Sequence, residues 1–293
     1  MPVKTDTIIS YLEEKESKEG TLPQLLKFYQ KLLRAQSGVE QKLASLLEPG
    51  LGSEAISERT EHGLPLIRFD ELTFDWPLLG DTFTEVTAIF ADYPELFGEL
   101  PKRLREPEAS HLLTRKAVRA WFEGAKLPTT LAANDVSEHL LAAIIHATLK
   151  PFLVSHAKTW LGFVDQERWR RGYCPICGGS PDLAFLDKES GARWLLCYRC
   201  DTEWLFQRLE CPYCGNQDQN ALAYFTNDDG YYRLYVCEQC KRYLKAIDLR
   251  QAEAGVLLPL ERFYTLDLDR QAQGHGYSPY GKAATRRTKK KQQ

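Results

Sequence analysis

Cys174-Pro175-Ile176-Cys177-Gly178, Cys197-Tyr198-Arg199-Cys200-Asp201, Cys211-Pro212-Tyr213-Cys214-Gly215 and Cys237-Glu238-Gln239-Cys240-Lys241 hold every cysteine of the chain. Nineteen residues separate the first pair from the second, ten the second from the third, and 22 the third from the fourth. A disulfide framework suits a short secreted chain, whereas this one has 293 residues. A metal framework fits better. Both sulfurs of a C-x-x-C turn can face one ion, and two such turns complete a tetrahedron. The intervals of 19 and 22 residues approach the roughly 15–20 of a four-cysteine ribbon. Sequential grouping is therefore preferred to an interleaved one. It places Cys174, Cys177, Cys197 and Cys200 on one ion, and Cys211, Cys214, Cys237 and Cys240 on a second.

Local chemistry agrees with this. Pro175 and Pro212 pre-set φ inside their turns, and Gly178 and Gly215 accept a positive φ without steric cost. The turns closing at Cys200 and Cys240 lack that glycine and are expected to be less regular or strained. Each long interval reads as a hairpin. The first runs Leu183–Leu186, a turn at 187–192, then Arg193–Leu196. The second runs Ala221–Thr226, the turn Asn227-Asp228-Asp229-Gly230, then Tyr231–Val236. No histidine lies between His156 and His275, so ligation is by thiolate alone, which suits zinc or iron. Four thiolates leave a divalent site at about −2, and Arg193, Arg199, Lys241 and Arg242 lie near enough in sequence to offset part of that. A bound ion contributes ~10–16 kcal/mol against ~5–15 for a whole domain. The metals are thus expected to act first as structural staples.

The remainder reads as helical. A helix starts at Thr21-Leu22-Pro23 and carries Leu25, Leu26, Tyr29, Leu32 and Leu33, running out by Pro49-Gly50. Asp81 is expected to cap a second, bearing Phe83, Val86, Ile89, Phe90 and Tyr93. Leu112–Phe122 forms a third. Asp135 and Glu138 start a fourth that Pro151 ends, and another runs from Phe152 to about Trp169. Residues 63–80 are expected to be irregular. The fold class is α+β, a helical N-terminal domain followed by two tandem four-cysteine modules. The boundaries are 1–170 helical, 171–206 first module, 207–250 second module, and 251–293 a C-terminal segment with a basic disordered tail.

Composition bounds the function. With 43% apolar and 27% charged residues the chain is of ordinary globular type. No stretch reaches the ~18 uninterrupted apolar residues of a membrane span. Met1–Leu12 lacks the pattern of a secretion signal, so a cytoplasmic protein without membrane insertion is expected. The net charge of −2 includes a tail holding Arg286, Arg287 and Lys289–Lys291, so the body is acidic. The cysteine region, 173–250, has nine Lys/Arg against eleven Asp/Glu, which argues against nucleic-acid binding by a zinc ribbon. There is no phosphate-binding glycine loop, no H-E-x-x-H helix and no G-x-S-x-G elbow. His139 and His146 share a helix face but are read as packing residues. A thioredoxin-like dithiol lacks its βαβ setting, whereas a rubredoxin-like iron centre could carry one electron. The profile left is that of a chaperone or maturation factor with no catalytic set, and not an enzyme.

Between Leu140 and Leu244 the chain resembles the formate dehydrogenase accessory protein (FdhE) family. The matching elements are Pro151-Phe152-Leu153 with Ala157, Gly172-Tyr173-Cys174-Pro175-Ile176-Cys177-Gly178 with Pro181, and Leu195-Leu196-Cys197-Tyr198-Arg199-Cys200 running into Thr202-Glu203-Trp204. They continue with Arg208-Leu209-Glu210-Cys211-Pro212-Tyr213-Cys214 and with Cys237-Glu238-Gln239-Cys240 before Tyr243-Leu244-Lys245. Leu266-Asp267-Leu268-Asp269 and Gly276-Tyr277 resemble the family's ending, although the lysine-rich terminus departs from it. The resemblance implies two rubredoxin-like modules binding iron, with all eight cysteines as ligands. It implies a cytoplasmic protein acting on the catalytic subunit of formate dehydrogenase before export. Whether the metal does redox work, and whether the chain forms a homo-oligomer, is left open by it.

Overall fold

The computed structural model describes residues 23–44, 52–128, 136–252 and 255–279. The expected roles of Thr21, Leu22 and Asp135, and the basic tail from Arg286 to Lys291, lie outside them. The longer elements are helices α1 (Pro23–Leu43), α2 (Ser53–His62), α3 (Trp76–Ala91), α4 (Arg115–Phe122) and α5 (Glu138–Trp160). Strands follow as β1 (Pro181–Leu186), β2 (Arg193–Cys197), β3 (Glu203–Phe206), β4 (Leu222–Thr226), β5 (Tyr232–Cys237) and β6 (Arg242–Asp248). Helices α6 (Leu258–Tyr264) and α7 (Leu266–Gly274) close the order. The described residues fall into two compact units, those of 1–50 with 67–162 and those of 51–66 with 163–293. The helical unit thus ends at 162 and omits α2, where a continuous domain to 170 was expected. The reason is local hydrogen bonding. Leu66 N–H donates to Pro175 C=O at 2.8 Å, Tyr173 Oη donates to Gly63 C=O at 2.7 Å, and Arg168 pairs with Glu61 at 2.8 Å. These bonds tie 52–66 and 163–173 to the first cysteine turn.

In the helical unit α1, α3 and α5 pack on one another around Phe28, Phe83, Phe90, Leu141, Ile144, Ile145 and Phe152, all buried. The expected core positions Val86 and Ile89 are buried too. The cap of α3 is not Asp81 but Asp75, whose Oδ1 accepts from Leu78 N–H at 3.0 Å. Pro77 in the first turn pre-sets its φ, so the helix starts six residues earlier and Tyr93 falls beyond its end. Helix α4 starts at Arg115, capped by the Thr114 hydroxyl, because Pro107–Leu112 has already formed a 3₁₀ turn.

Pro151 does not end α5. The helix is capped by Ser137, whose Oγ accepts from Leu140 N–H, and runs 23 residues through the proline. A proline lacks the N–H that would satisfy the carbonyl four residues back. Here that carbonyl, on Ala147, accepts from Gln36 Nε2 of α1 at 2.7 Å in a buried bond. Glu138–Phe163 is long and apolar enough to cross a membrane by length and composition, yet 67% of the apolar window is buried inside the fold. It packs against α1, α3 and α4 within its unit.

The second unit is built on one six-stranded sheet in the order β3-β2-β1-β6-β5-β4. Both expected hairpins form, β1 with β2 and β4 with β5, each antiparallel. Two strands unforeseen in the sequence complete them, β3 beside β2 and β6 beside β5. The modules then join through the parallel pair β1 and β6, with Leu183 opposite Lys245 and Phe185 opposite Ile247. One face buries Leu183, Phe185, Leu196 and Ile247 against Leu258, and Leu234, Val236 and Tyr243 against Ala272 of α7. The C-terminal helices therefore cover both modules.

Candidate metal centres

The four cysteine turns are alike. In each, the N–H of the residue after the second cysteine donates to the carbonyl of the first: Gly178 to Cys174, Asp201 to Cys197, Gly215 to Cys211 and Lys241 to Cys237, at 2.9–3.2 Å. Each such residue is left-handed, with φ of 69° at Gly178, 72° at Gly215 and 53° at both Asp201 and Lys241. The closing turns are thus as regular as the opening ones and carry their strain at two non-glycine residues, which costs on the order of 1 kcal/mol each.

The sulfurs converge in the sequential grouping. Cys174, Cys177, Cys197 and Cys200 form one cluster and Cys211, Cys214, Cys237 and Cys240 the other, all sulfurs of a cluster within 4.8 Å of one another. Individual Sγ···Sγ separations are 3.7 Å for Cys174–Cys200, 3.5 Å for Cys177–Cys197, and 3.7 Å for both Cys211–Cys240 and Cys214–Cys237. A tetrahedron with metal–sulfur bonds of ~2.3 Å has edges of ~3.8 Å, whereas a disulfide spans ~2.05 Å. The spacing is that of ligands about an ion, and each cluster could hold one.

The clusters differ in exposure. All four cysteines of the first are buried, while Cys214 and Cys240 of the second are half-buried. Burial pushes the Cys174 thiol well above its usual range, raises Cys211, and lifts Cys240 to about 12. At Cys237 burial acts upward too, but N–H groups of Cys240 and Gln239 outweigh it and draw the thiol down. Buried thiols that resist ionisation in one another's company are the groups a cation would deprotonate.

The four nearby cations occupy different roles. Arg199 is buried beside the first cluster, its Nε donating to Tyr198 Oη at 2.7 Å. Burial opposes its charge, but Tyr198 and the sulfurs of Cys177 and Cys197 outweigh that and raise its pKa. Arg193 belongs in sequence to the first module but lies near Cys211 of the second, and burial lowers its guanidinium to about 10. It lines a small cavity of about 30 Å³ with Cys211, Tyr235 and Arg242. Lys241 is exposed and pairs with Glu238.

The residue most easily missed is Arg262 on α6. Its Nε and Nη2 grip Asp182 at 2.6 and 3.0 Å, its Nη1 reaches Asp201 at 2.7 Å, and Nη2 also donates to Cys197 C=O at 3.0 Å. The first cluster is thereby locked by a residue 62 positions after Cys200. The second is held similarly. Ser278 N–H donates to Lys241 C=O at 2.8 Å, and Tyr277 Oη meets Glu238. On α7, Asp269 receives Lys245 Nζ at 2.6 Å and Tyr243 Oη at 2.7 Å. The Leu266–Asp269 and Gly276-Tyr277 segments were the one available signal of these clamps. Of the two histidines considered, His146 stacks on Trp121 at 5.8 Å and His139 is exposed.

An α+β chain with two four-cysteine centres on a shared sheet is the class that fold and site define. The family model described as "FdhE, central domain" matches residues 173–208. A Protein FdhE homolog of Aquifex aeolicus is 29% identical over 259 residues, 87% of this chain and 85% of that protein. A Protein FdhE homolog of Pseudomonas aeruginosa is 26% identical over 245 residues, 71% of this chain and 73% of that one. The crystal structure of the FdhE protein from Pseudomonas aeruginosa superposes with a TM-score of 0.57, covering 94% of this chain and 91% of that chain at 21% identity, a likeness of fold. The chain is similar to FdhE proteins over most of its length, a longer span than the Leu140–Leu244 resemblance read from the sequence.

Proposed function

We propose that this protein is an accessory factor for formate dehydrogenase, that it binds the catalytic subunit and is needed for its activity, and that it is not itself an enzyme. The observation that carries the reading is the pair of complete four-sulfur clusters on a chain related to FdhE proteins. In this reading Cys174, Cys177, Cys197 and Cys200 ligate one ion, and Cys211, Cys214, Cys237 and Cys240 the other. Zinc would supply rigidity alone, whereas iron would add a one-electron couple.

The chain's own residues do the rest. The left-handed turns aim the sulfurs inward, Arg199 and Arg193 place positive charge against the thiolates, and Arg262 and Asp269 fasten the C-terminal helices across both modules. A firm platform results, with the metals as staples, and the reading puts it in the cytoplasm, without membrane insertion or nucleic-acid partner. The test is a deletion strain assayed for formate oxidation, together with a pull-down of the catalytic subunit by the purified full chain. Loss of oxidation and capture of the subunit are expected. Unchanged oxidation would remove the idea.

A further inference from the structure

β4 is the last strand of the sheet on its side, and its ladder uses only one of its edges. Glu238 N–H donates to Ala221 C=O at 2.9 Å and Asn227 N–H to Tyr232 C=O at 3.3 Å. Antiparallel alternation then assigns Ala221, Ala223, Phe225 and Asn227 to β5 and turns the N–H and C=O of Leu222, Tyr224 and Thr226 outward. Among the described residues no backbone group meets them. At the opposite edge Leu205 N–H of β3 is taken by the Gln166 side chain at 3.1 Å, whereas the outward groups of β4 meet no such partner among the described residues. Leu222–Thr226 contains no proline, no lysine and no bulge, the usual protections of an edge. It carries instead Tyr224 and Phe225, 54% and 59% exposed, which alternation places on opposite faces. Tyr224 is held in place, with the Arg233 guanidinium 5.1 Å from its ring centre and Tyr235 at 5.5 Å.

We propose that β4 is a docking edge for an extended segment of another polypeptide, which adds as a seventh strand with apolar side chains at alternate positions and basic residues at its ends. The basic ends follow from charge. Asp218 precedes the strand and Asp228 and Asp229 follow it. Asp218 and Asp229 accept N–H bonds within their own turns, from Asn220 and Tyr231, and all three carboxylates are exposed. A second copy is a poor occupant. Antiparallel self-pairing centred on Tyr224 brings each Asp218 beside the other copy's Asp228-Asp229 turn, and like charges across strands repel. The chain's own basic tail lacks the alternating large apolar residues that would cover Tyr224 and Phe225. Identifying the occupant as part of the formate dehydrogenase catalytic subunit rests on the reading above, whereas the strand addition does not.

The experiment titrates the ¹⁵N-labelled full chain with the synthetic peptide Lys-Lys-Val-Thr-Val-Thr-Val-Lys-Lys to about 1 mM. Saturable shifts of the Leu222, Tyr224 and Thr226 amides are expected. Thr226→Pro removes one outward N–H without cutting a ladder bond and should weaken binding about fivefold. Phe225→Glu, at an exposed side chain that does not threaten the fold, should lose the apolar contact on its face. A glutamate-flanked peptide should bind more weakly than the lysine-flanked one. Silent edge amides, or equal binding by wild type and Thr226→Pro, would overturn the proposal. So would tighter peptide binding after removal of residues 280–293, which makes the tail the occupant, or a dimer abolished by Thr226→Pro, which makes it a second copy. The catalytic subunit is titrated onto the same variants. Equal binding to all of them overturns the docking edge and spares the accessory role, while peptide binding without subunit binding does the reverse.

Discussion

Replacing Arg262 by methionine removes the guanidinium that joins α6 to the first cluster while keeping a side chain of similar length. Four hydrogen bonds are lost, three to the carboxylates of Asp182 and Asp201 and one to Cys197 C=O. Breaking a buried ion pair from one side costs ~3–5 kcal/mol. Arg262 and Asp182 are each about 15% exposed and Asp201 about 23%, so water reaches the orphaned carboxylates and brings the cost below that range, to about 2–3 kcal/mol. The effect should be lopsided. Asp201 sits left-handed directly after Cys200, so the first cluster loosens, while the second, clamped by Asp269 and Ser278, keeps its hold. Urea unfolding of metal-loaded protein, followed by the buried Trp169 and Trp204, reads the stability. A chelator reads metal release, in which one equivalent should leave faster and the other at the wild-type rate. Arg262→Lys, unable to form the fork, should recover only part of the loss. Stability within ~0.5 kcal/mol of wild type with unchanged release would refute the reasoning.

Three further outcomes follow from other contacts. Gln36→Leu leaves the Ala147 carbonyl buried and without its donor beside Pro151, and should cost about 1–3 kcal/mol in thermal unfolding. Gly179→Ala puts a Cβ 2.9 Å from Cys197 Sγ, so the first cluster cannot close and metal content should fall from two equivalents toward one. Burial lowers the pKa of His156 below its ordinary 6.5, against a smaller opposing pull from Thr73 backbone. Folding therefore releases protons. Its stability contribution is complete above pH 6.5 and is lost as pH falls from there toward the lowered value; His156→Gln should flatten that limb of the stability–pH curve.

The cysteine clusters were legible because ligand geometry is local, set by two C-x-x-C turns at ribbon spacing. Both hairpins were legible for a similar reason, since Asp229-Gly230 and the flanking aromatics specify a turn and its strands together. What escaped was non-local. β6 reads Arg242-Tyr243-Leu244-Lys245-Ala246-Ile247-Asp248, and its two buried polar residues, Lys245 and Asp248, disguise a central strand. Their partners Asp269, Arg233 and Arg250 make that burial tolerable. The parallel pairing of β1 with β6 has no marker in either strand. Pro151 carried a stop signal that a glutamine on another helix cancels. Asp81 satisfied the rule for a cap, but Asp75 with Pro77 satisfied it earlier in the chain.

The central claim, that eight thiols converge on two ions, is tested most directly by metal analysis and thiol counting on full-length protein purified without oxygen. The account predicts two equivalents of iron or zinc per chain, with no free thiol until the metal is stripped and eight afterwards. A metal-free chain that is fully folded, or one whose native state joins its cysteines as disulfides, would contradict it.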